Sequence, residues 1–152
     1  MIPLPPAVLR EIAAHARSTY PAECCGLLLE DGAGAIRFQP IANIAGASQT
    51  STRTVRDGYV MEPRALLQAL ESADAQGGRL AAIVHSHPDV GAYFSPEDRL
   101  MALGGGDEPL WPGVQYLVVS VRQGRVDDAR LYSWEAGRRD FAEEKIPGID
   151  QH

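Results

Sequence analysis

The sequence is poor in cysteine, and this shortage excludes disulfide-stapled and zinc-knuckle proteins. Its 152 residues include two cysteines, the neighbours Cys24 and Cys25. Adjacent cysteines rarely bridge because the geometry is strained. Without a second pair there is neither a disulfide framework nor a C-x-x-C zinc knuckle. These features predict a cytoplasmic protein with reduced thiols.

The sequence also lacks the features of a membrane anchor and of a nucleic-acid-binding surface. No apolar run approaches the ~18 residues that a transmembrane helix needs, and the first residues lack the features of a signal peptide. The 14 basic and 20 acidic residues give a net charge of −6 without a long basic run. A phosphate-tracking surface is therefore not expected. The composition, 45% hydrophobic and 22% charged, predicts one globular domain over residues 1–152.

Apolar spacing and turn residues predict a mixed α/β (α+β) fold. Helices are expected over 6–19, from Pro63 to Gly77-Gly78, and from Pro96 to the glycines at 104–106. In the second helix the expected buried stripe is Leu66, Leu67, Leu70 and Ala73. The strands are expected over 24–29, 35–41, 80–84 and onward into His85, 115–121, and 126–134. Residues 43–58 are polar and predict a long loop, and the last fifteen or so residues give no clear pattern.

A metal site is predicted at the end of the expected strand that runs from residue 80 into His85. His85 and His87 stand at i and i+2 of a strand, so their imidazoles point to the same face. Asp98 falls in the first turn of the next helix, which is a suitable place for a third ligand. Two histidines and one carboxylate leave a position open for water, as in catalytic zinc sites. Imidazoles favour zinc over magnesium or calcium, whereas iron, nickel and copper stay open.

Two further residues are candidates for catalysis beside this metal. Glu23 precedes an apolar strand and is the candidate general acid/base, with Glu30 and Glu62 as nearby rivals. Ser95 is the candidate donor to an oxyanion. It also fits the N-cap of a helix that starts Ser-Pro-Glu-Asp, and both roles are compatible.

This set of residues resembles the signature of the JAMM (MPN-plus) metallopeptidases. The pattern is Glu23, then His85-x-His87-Pro88, six residues, Ser95, two residues and Asp98. Flanking segments at 21–28, 59–63 and 111–121 also resemble compact bacterial members, so the resemblance covers roughly residues 5–134. It implies a single-domain fold with a cytidine-deaminase-like mixed sheet flanked by helices. It also implies Zn²⁺ held by His85, His87 and Asp98, with Glu23 as acid/base and Ser95 stabilising the oxyanion.

The resemblance further implies a substrate class. Only 16 residues separate Asp98 from the strand at Gln115, whereas ubiquitin-chain-specific eukaryotic members carry a larger insertion there. Compact bacterial members instead act on small ubiquitin-fold sulfur-carrier proteins that end in Gly-Gly. Phe94 departs from the family, because many bacterial members carry proline before the serine. Its expected effect is on loop stiffness more than on chemistry.

Two alternative hypotheses of function are also compatible with the sequence. One is a peptidase acting on a peptidoglycan crosslink or a ubiquitin-like conjugate. The other is a catalytically dead scaffold of the same fold, against which the complete ligand set argues. A nucleoside deaminase is excluded because the Pro-Cys-x-x-Cys segment is missing.

Some residues carry weaker hypotheses. Arg53 and Arg56 in the polar loop are candidates to meet a substrate carboxylate or an acidic carrier, with a solvated loop as the alternative. Cys24 and Cys25 are expected in the core, with a thiol facing the cleft as the minor alternative. The two tryptophans, Trp111 and Trp134, are expected to pack rather than to form a substrate platform.

Overall fold

The computed structural model describes residues 2–47 and 54–152, and these residues form one six-stranded mixed sheet. The strands are β1 (Cys25–Glu30), β2 (Ile36–Ile41), β3 (Arg79–Pro88), β4 (Gln115–Arg122), β5 (Arg125–Glu135) and β6 (Asp140–Lys145). Their order in the sheet is β2-β1-β3-β4-β5-β6. The β3–β4 pair is parallel and the other neighbours are antiparallel. The predicted mixed α/β fold is confirmed.

Helices cover both faces of this sheet. They are α1 (Pro6–Thr19), α2 (Pro63–Ala75) and α3 (Pro96–Leu103), followed late in the chain by a 3₁₀ turn, Ile149–Gln151. Successive side chains of a strand point to opposite faces. Leu28 of β1 accordingly packs in the cluster that contains α1, whereas Leu27 packs in the cluster that contains α2. The sheet is therefore sandwiched between α1 on one side and α2 with α3 on the other.

The helix predictions hold, with one error in α2. In α1 the periodic residues Val8, Ile12 and Ala16 are buried, as expected. In α2 the buried residues are Ala69 and Ala73, whereas Leu67 is 57% exposed. The expected stripe was wrong at Leu67 because the true stripe follows the 3.6-residue period from Leu66. A residue directly after Leu66 lies about 100° around the helix from it.

The end of the chain belongs to the fold, although its sequence showed no pattern. β6 pairs with β5 along its whole length. Behind it, Ile146 and Ile149 are buried in the same cluster as Val8 and Ile12 of α1. β6 itself is mostly exposed, so it lacks the alternation of apolar and polar residues that reveals a strand.

The parallel connection from β3 through α3 to β4 decides where the site lies. On β3, Ile83 packs against the α2 and α3 side, so alternation places His85 and His87 on that same face. The chain then returns through α3 over this face before entering β4. Among the residues described, no helix has the length and apolar content needed to cross a membrane.

Candidate metal centre

Two buried histidines stand side by side where β3 ends. His85 is 0% and His87 6% exposed, and their Nε2 atoms are 3.1 Å apart. Ser86 between them points to the opposite face, where its Oγ accepts the Cys24 N–H at 2.7 Å. The Ser86 N–H in turn donates to the Cys24 carbonyl at 3.1 Å. This double contact fixes the entry of β1 against the histidine pair.

The first turn of α3 brings a carboxylate to both imidazoles. The Asp98 Oδ1 is 3.2 Å from Nε2 of His85, and Oδ2 is 3.3 Å from Nε2 of His87. A capping box holds this carboxylate: Ser95 Oγ accepts the Asp98 N–H, and Asp98 Oδ2 accepts the Ser95 N–H, both at 3.0 Å. Such a box satisfies two N–H groups of the helix start. The structure thus gives Ser95 the predicted capping role.

Glu23 lies directly before β1, and it is only 5% exposed. Its backbone N–H donates to the Val55 carbonyl at 2.6 Å. One of its carboxylate oxygens lies within 4.8 Å of ring nitrogens of His85 and His87, a grouping compatible with a metal ion. Glu23 and Asp98 therefore approach the same histidine pair.

The two rival glutamates lie elsewhere and are otherwise engaged. Glu30 ends β1, at the end of the strand far from the site, and pairs with Arg79 at 2.6 Å. Glu62 caps α2, where its carboxylate accepts the N–H groups of Arg64 and Ala65. Of the three candidates, the structure brings only Glu23 to the histidines.

The ring contacts show that the site suits a cation. His87 Nδ1 lies 3.0 Å from the Gly91 carbonyl oxygen. Because a carbonyl oxygen only accepts, neutral His87 carries its proton on Nδ1 and turns the Nε2 lone pair toward Asp98. That lone pair and the carboxylate oxygen are both acceptors, so a proton or a cation between them satisfies both. The residues present therefore fit a metal ion with nitrogen and oxygen ligands.

The protonation preferences of these groups follow from burial and mutual contact. Burial lowers the pKa of His85 below its usual value, against the opposing effect of Asp98. Burial also acts to lower the pKa of His87, but the Asp98 carboxylate and the Gly91 carbonyl outweigh it and leave the pKa raised. For Asp98 burial is outweighed by the two imidazoles, which hold the pKa well below its usual range. Asp98 is therefore an anion.

Two aromatic rings that sequence reasoning did not single out border the histidines. Tyr59 stacks on His85 with ring centroids 4.8 Å apart and an angle of 25°. Tyr93 lies 5.1 Å from the His87 ring and is half exposed. The only sequence indication was the position of Tyr59 in a flank that resembles the family.

These groups open into a cleft of about 400 Å³. Its charged and polar lining includes Glu23, Arg56, His87, Ser95 and Asp98. The structure therefore brings together all five predicted site residues, since the buried His85 ring contacts His87 and Asp98 at the floor of the cleft.

The weaker hypotheses have different outcomes. Arg56 lines the cleft, whereas Arg53 lies outside the described residues. Both cysteines are buried and free, and burial raises the pKa of Cys24 to about 11 and that of Cys25 to about 12. They are core residues with unreactive thiols. Trp111 is 43% exposed, and the expectation that it packs rather than forming a substrate platform stays a prediction.

Comparison with known proteins places the chain in a family. Residues 5–135 match the model of the prokaryotic homologs of the JAB domain. The chain belongs to this family, which confirms its resemblance to the compact prokaryotic JAMM/MPN type.

Two relatives and one solved structure illustrate this membership. A desampylase from Haloferax volcanii is 28% identical over 115 residues, covering 72% of this chain and 73% of the relative. A probable TtuB-protein conjugate cleaving protease from Thermus thermophilus is 34% identical over 96 residues, covering 62% of this chain and 59% of the relative. The solution structure of a Desulfitobacterium hafniense protein superposes with a TM-score of 0.69 at 27% identity, covering 96% and 91% of the two chains.

Proposed function

We propose that this protein is a zinc-dependent peptidase that hydrolyses the amide bond after the C-terminal Gly-Gly of a small ubiquitin-fold sulfur-carrier protein. The observation that carries the proposal is the meeting of Glu23 and Asp98 with a buried histidine pair in an open cleft. Membership of the JAB family supports the reaction class. The two relatives, a desampylase and a probable conjugate cleaving protease, support a ubiquitin-like substrate.

His85, His87 and Asp98 are the proposed zinc ligands. Both Asp98 oxygens lie within 3.3 Å of a histidine Nε2, and the capping box holds that carboxylate in place. When bound, the ion polarises the scissile carbonyl and lowers the pKa of a bound water. The neighbouring Ser86 and the Gly91 carbonyl hold the strand and the His87 ring in register. Such outer contacts orient ligand histidines.

Glu23 is the proposed proton carrier. Its carboxylate lies within 4.8 Å of the histidine ring nitrogens, and its backbone N–H is anchored at the Val55 carbonyl. From there it takes a proton from the attacking water and delivers it to the leaving amine. In this assignment Glu23 is not a ligand, and a variant that lacks its charge still binds zinc.

Ser95 is the proposed donor to the oxyanion. Its Oγ uses a lone pair to accept the Asp98 N–H, so its own O–H remains available to donate. A hydroxyl aimed at the charge that develops in the transition state typically contributes a few kcal/mol. The same side chain thus fixes a ligand-bearing turn and faces the cleft.

A diglycine tail suits a narrow approach to this site. Tyr59 and Tyr93 stand on either side of the histidine pair, and a glycine has no side chain to clash with them. We propose that the tail lies extended and adds backbone hydrogen bonds in the manner of an added strand. The cytoplasmic location expected from the free cysteines is part of the same proposal.

The test is a carrier protein extended beyond its Gly-Gly end. Zinc-loaded protein should cut it directly after the second glycine, as read by mass spectrometry of the product. Replacing that glycine by alanine should slow cutting by ~10²-fold, because a displacement of ~1 Å near the reacting atoms has an effect of that size. Chelator should stop the reaction, and zinc should restore it.

Two other results would replace this proposal. Cleavage indifferent to the glycines would favour a peptidase with another substrate, such as a ubiquitin-like conjugate or a peptidoglycan crosslink. Tight carrier binding without cleavage in zinc-loaded protein would favour a non-catalytic scaffold.

A further inference from the structure

Asn43 lies in the polar segment after β2, outside the predicted set of site residues, yet its amide is fully engaged. The Nδ2 group donates to the carbonyls of Glu23 at 3.0 Å and Gly58 at 3.1 Å, with a longer contact of 3.5 Å to the Val55 carbonyl. The Oδ1 atom accepts the N–H groups of Ala45 and Val60, both at 3.0 Å. A side-chain amide has two donor hydrogens and two acceptor lone pairs, and all of them are used.

Two partners of this amide, Glu23 and Gly58, line the cleft. Gly58 and Val60 flank Tyr59, so Asn43 holds the backbone on both sides of the residue that stacks on His85. Glu23 is held at both backbone groups, since its N–H donates to Val55 and its carbonyl accepts from Asn43. One side chain thus joins the segment that carries Glu23 to the segment that carries Tyr59.

We propose that Asn43 is a positioning residue that fixes Glu23 and Tyr59 relative to the histidine pair. This inference rests on the proposed function for its catalytic consequence, although the arrangement itself is independent of it. Asn43 touches no reacting atom. It acts through the two residues that border the histidines.

Asparagine suits this position, and its acidic analogue does not. In Asn43→Asp, Oδ1 still accepts from Ala45 and Val60, but the second oxygen then faces the carbonyls of Glu23 and Gly58. Acceptors that face each other repel, and the Glu23 carbonyl loses its donor. Backbone bonds between Ile44 and Val60 and between Glu62 and Ala42 still connect the segment of Asn43 to that of Tyr59, and the Glu23 N–H still donates to Val55. We therefore expect the variant to fold with a displaced Glu23.

The first experiment measures kinetics with a carrier extended beyond Gly-Gly. Asn43→Asp should lower kcat by ~10–10²-fold with little change in KM, because small displacements of reacting groups have effects of this size. Bound zinc should stay at the wild-type level. In the Glu23→Gln background, the same substitution should lower kcat much less, because the larger part of its effect passes through Glu23. An equal further loss in that background would overturn the proposal.

A matched control separates positioning from general destabilisation. Asp31 also accepts two backbone N–H groups, those of Ala33 and Ala35, but in the turn at the far end of β1. Asp31→Ala should lower the thermal midpoint and leave kcat unchanged. If it lowered kcat as much as Asn43→Asp does, the positioning role would be wrong. Should Asn43→Asp not fold, Asn43→Ser allows the same comparison.

The second experiment does not depend on activity. In metal-free protein the Tyr59 ring shifts the NMR signals of the His85 ring protons, because the two rings are stacked. Asn43→Asp should move these signals, and Asp31→Ala should not. If the signals moved but the wild-type protein cleaved no carrier, the peptidase would be wrong and the positioning would stand. Unmoved signals would overturn the positioning, whatever the activity.

Discussion

Two clefts open at opposite ends of β1 and β3. The larger one lacks the histidine and paired carboxylates that line the smaller one. The larger, about 570 Å³, lies where β1 ends and β3 begins, and its lining includes Glu30, Arg79, Trp111 and Trp134. The smaller, about 400 Å³, lies where β3 ends. Their polar groups differ in how far they satisfy one another.

In the larger cleft the polar side chains at the strand ends pair with one another. Glu30 binds Arg79, and Gln115 accepts the Ile2 N–H and donates to Ser133 Oγ. In the smaller cleft, acceptors of Asp98 and His87 face each other within 3.3 Å. The comparison teaches that buried ionisable groups in mutual contact, rather than volume, single out the candidate site.

The strongest test of this contrast removes one of the two imidazoles. We expect His87→Ala to lose zinc while the fold is largely kept, because the ring lies near the end of β3 and lines the cleft. Turnover should fall by at least ~10⁴-fold, as when a whole catalytic unit is lost. Metal analysis and circular dichroism check the two parts. Wild-type protein prepared without chelator and found metal-free would count against the site.

The next test removes the charge of Glu23 and keeps its shape. Glu23→Gln should keep zinc and stability but lose ~10²–10⁴-fold in turnover, because no other group then carries the proton. Metal content and kcat are measured on the same preparation. Zinc lost with the carboxylate would make Glu23 a ligand, and wild-type turnover would remove it from the mechanism.

A smaller effect is expected from Ser95. Ser95→Ala should lower kcat by ~10²–10³-fold through the missing oxyanion donor and stability by about 1 kcal/mol through the missing cap. Ser95→Thr should retain most of both. Glu62→Ala is the matched control, since it removes the cap of α2 and leaves the cleft intact. If both alanine variants lost turnover equally, the role of Ser95 would be structural.

The smallest effect is expected in the larger cleft. Glu30→Gln breaks the pair with Arg79, whose side chain is 57% exposed. Exposed pairs of this kind contribute about 0–1 kcal/mol, so the urea midpoint should barely move and turnover should not change. A large loss of turnover would mean that this end of the sheet also takes part in the reaction, and the contrast between the clefts would fail.

The sequence predicts a feature well when the pattern that encodes it spans only a few neighbouring residues. His85, His87, Ser95 and Asp98 were recognisable because strand alternation and helix capping act over a few residues. Tyr59 was not, because its stack on His85 depends on how the chain returns after α1, β1 and β2. β6 was not predicted because an exposed edge strand shows no apolar alternation.

The burial of Ile146 and Ile149 against α1 has a consequence for biosynthesis. α1 is synthesised before all six strands, but the residues that complete its surroundings are synthesised only after them. Until then the apolar stripe of Val8 and Ile12 lacks part of its cover, and transiently exposed apolar surface promotes aggregation. A nascent chain stalled before Ile146 would therefore present this helix to chaperones.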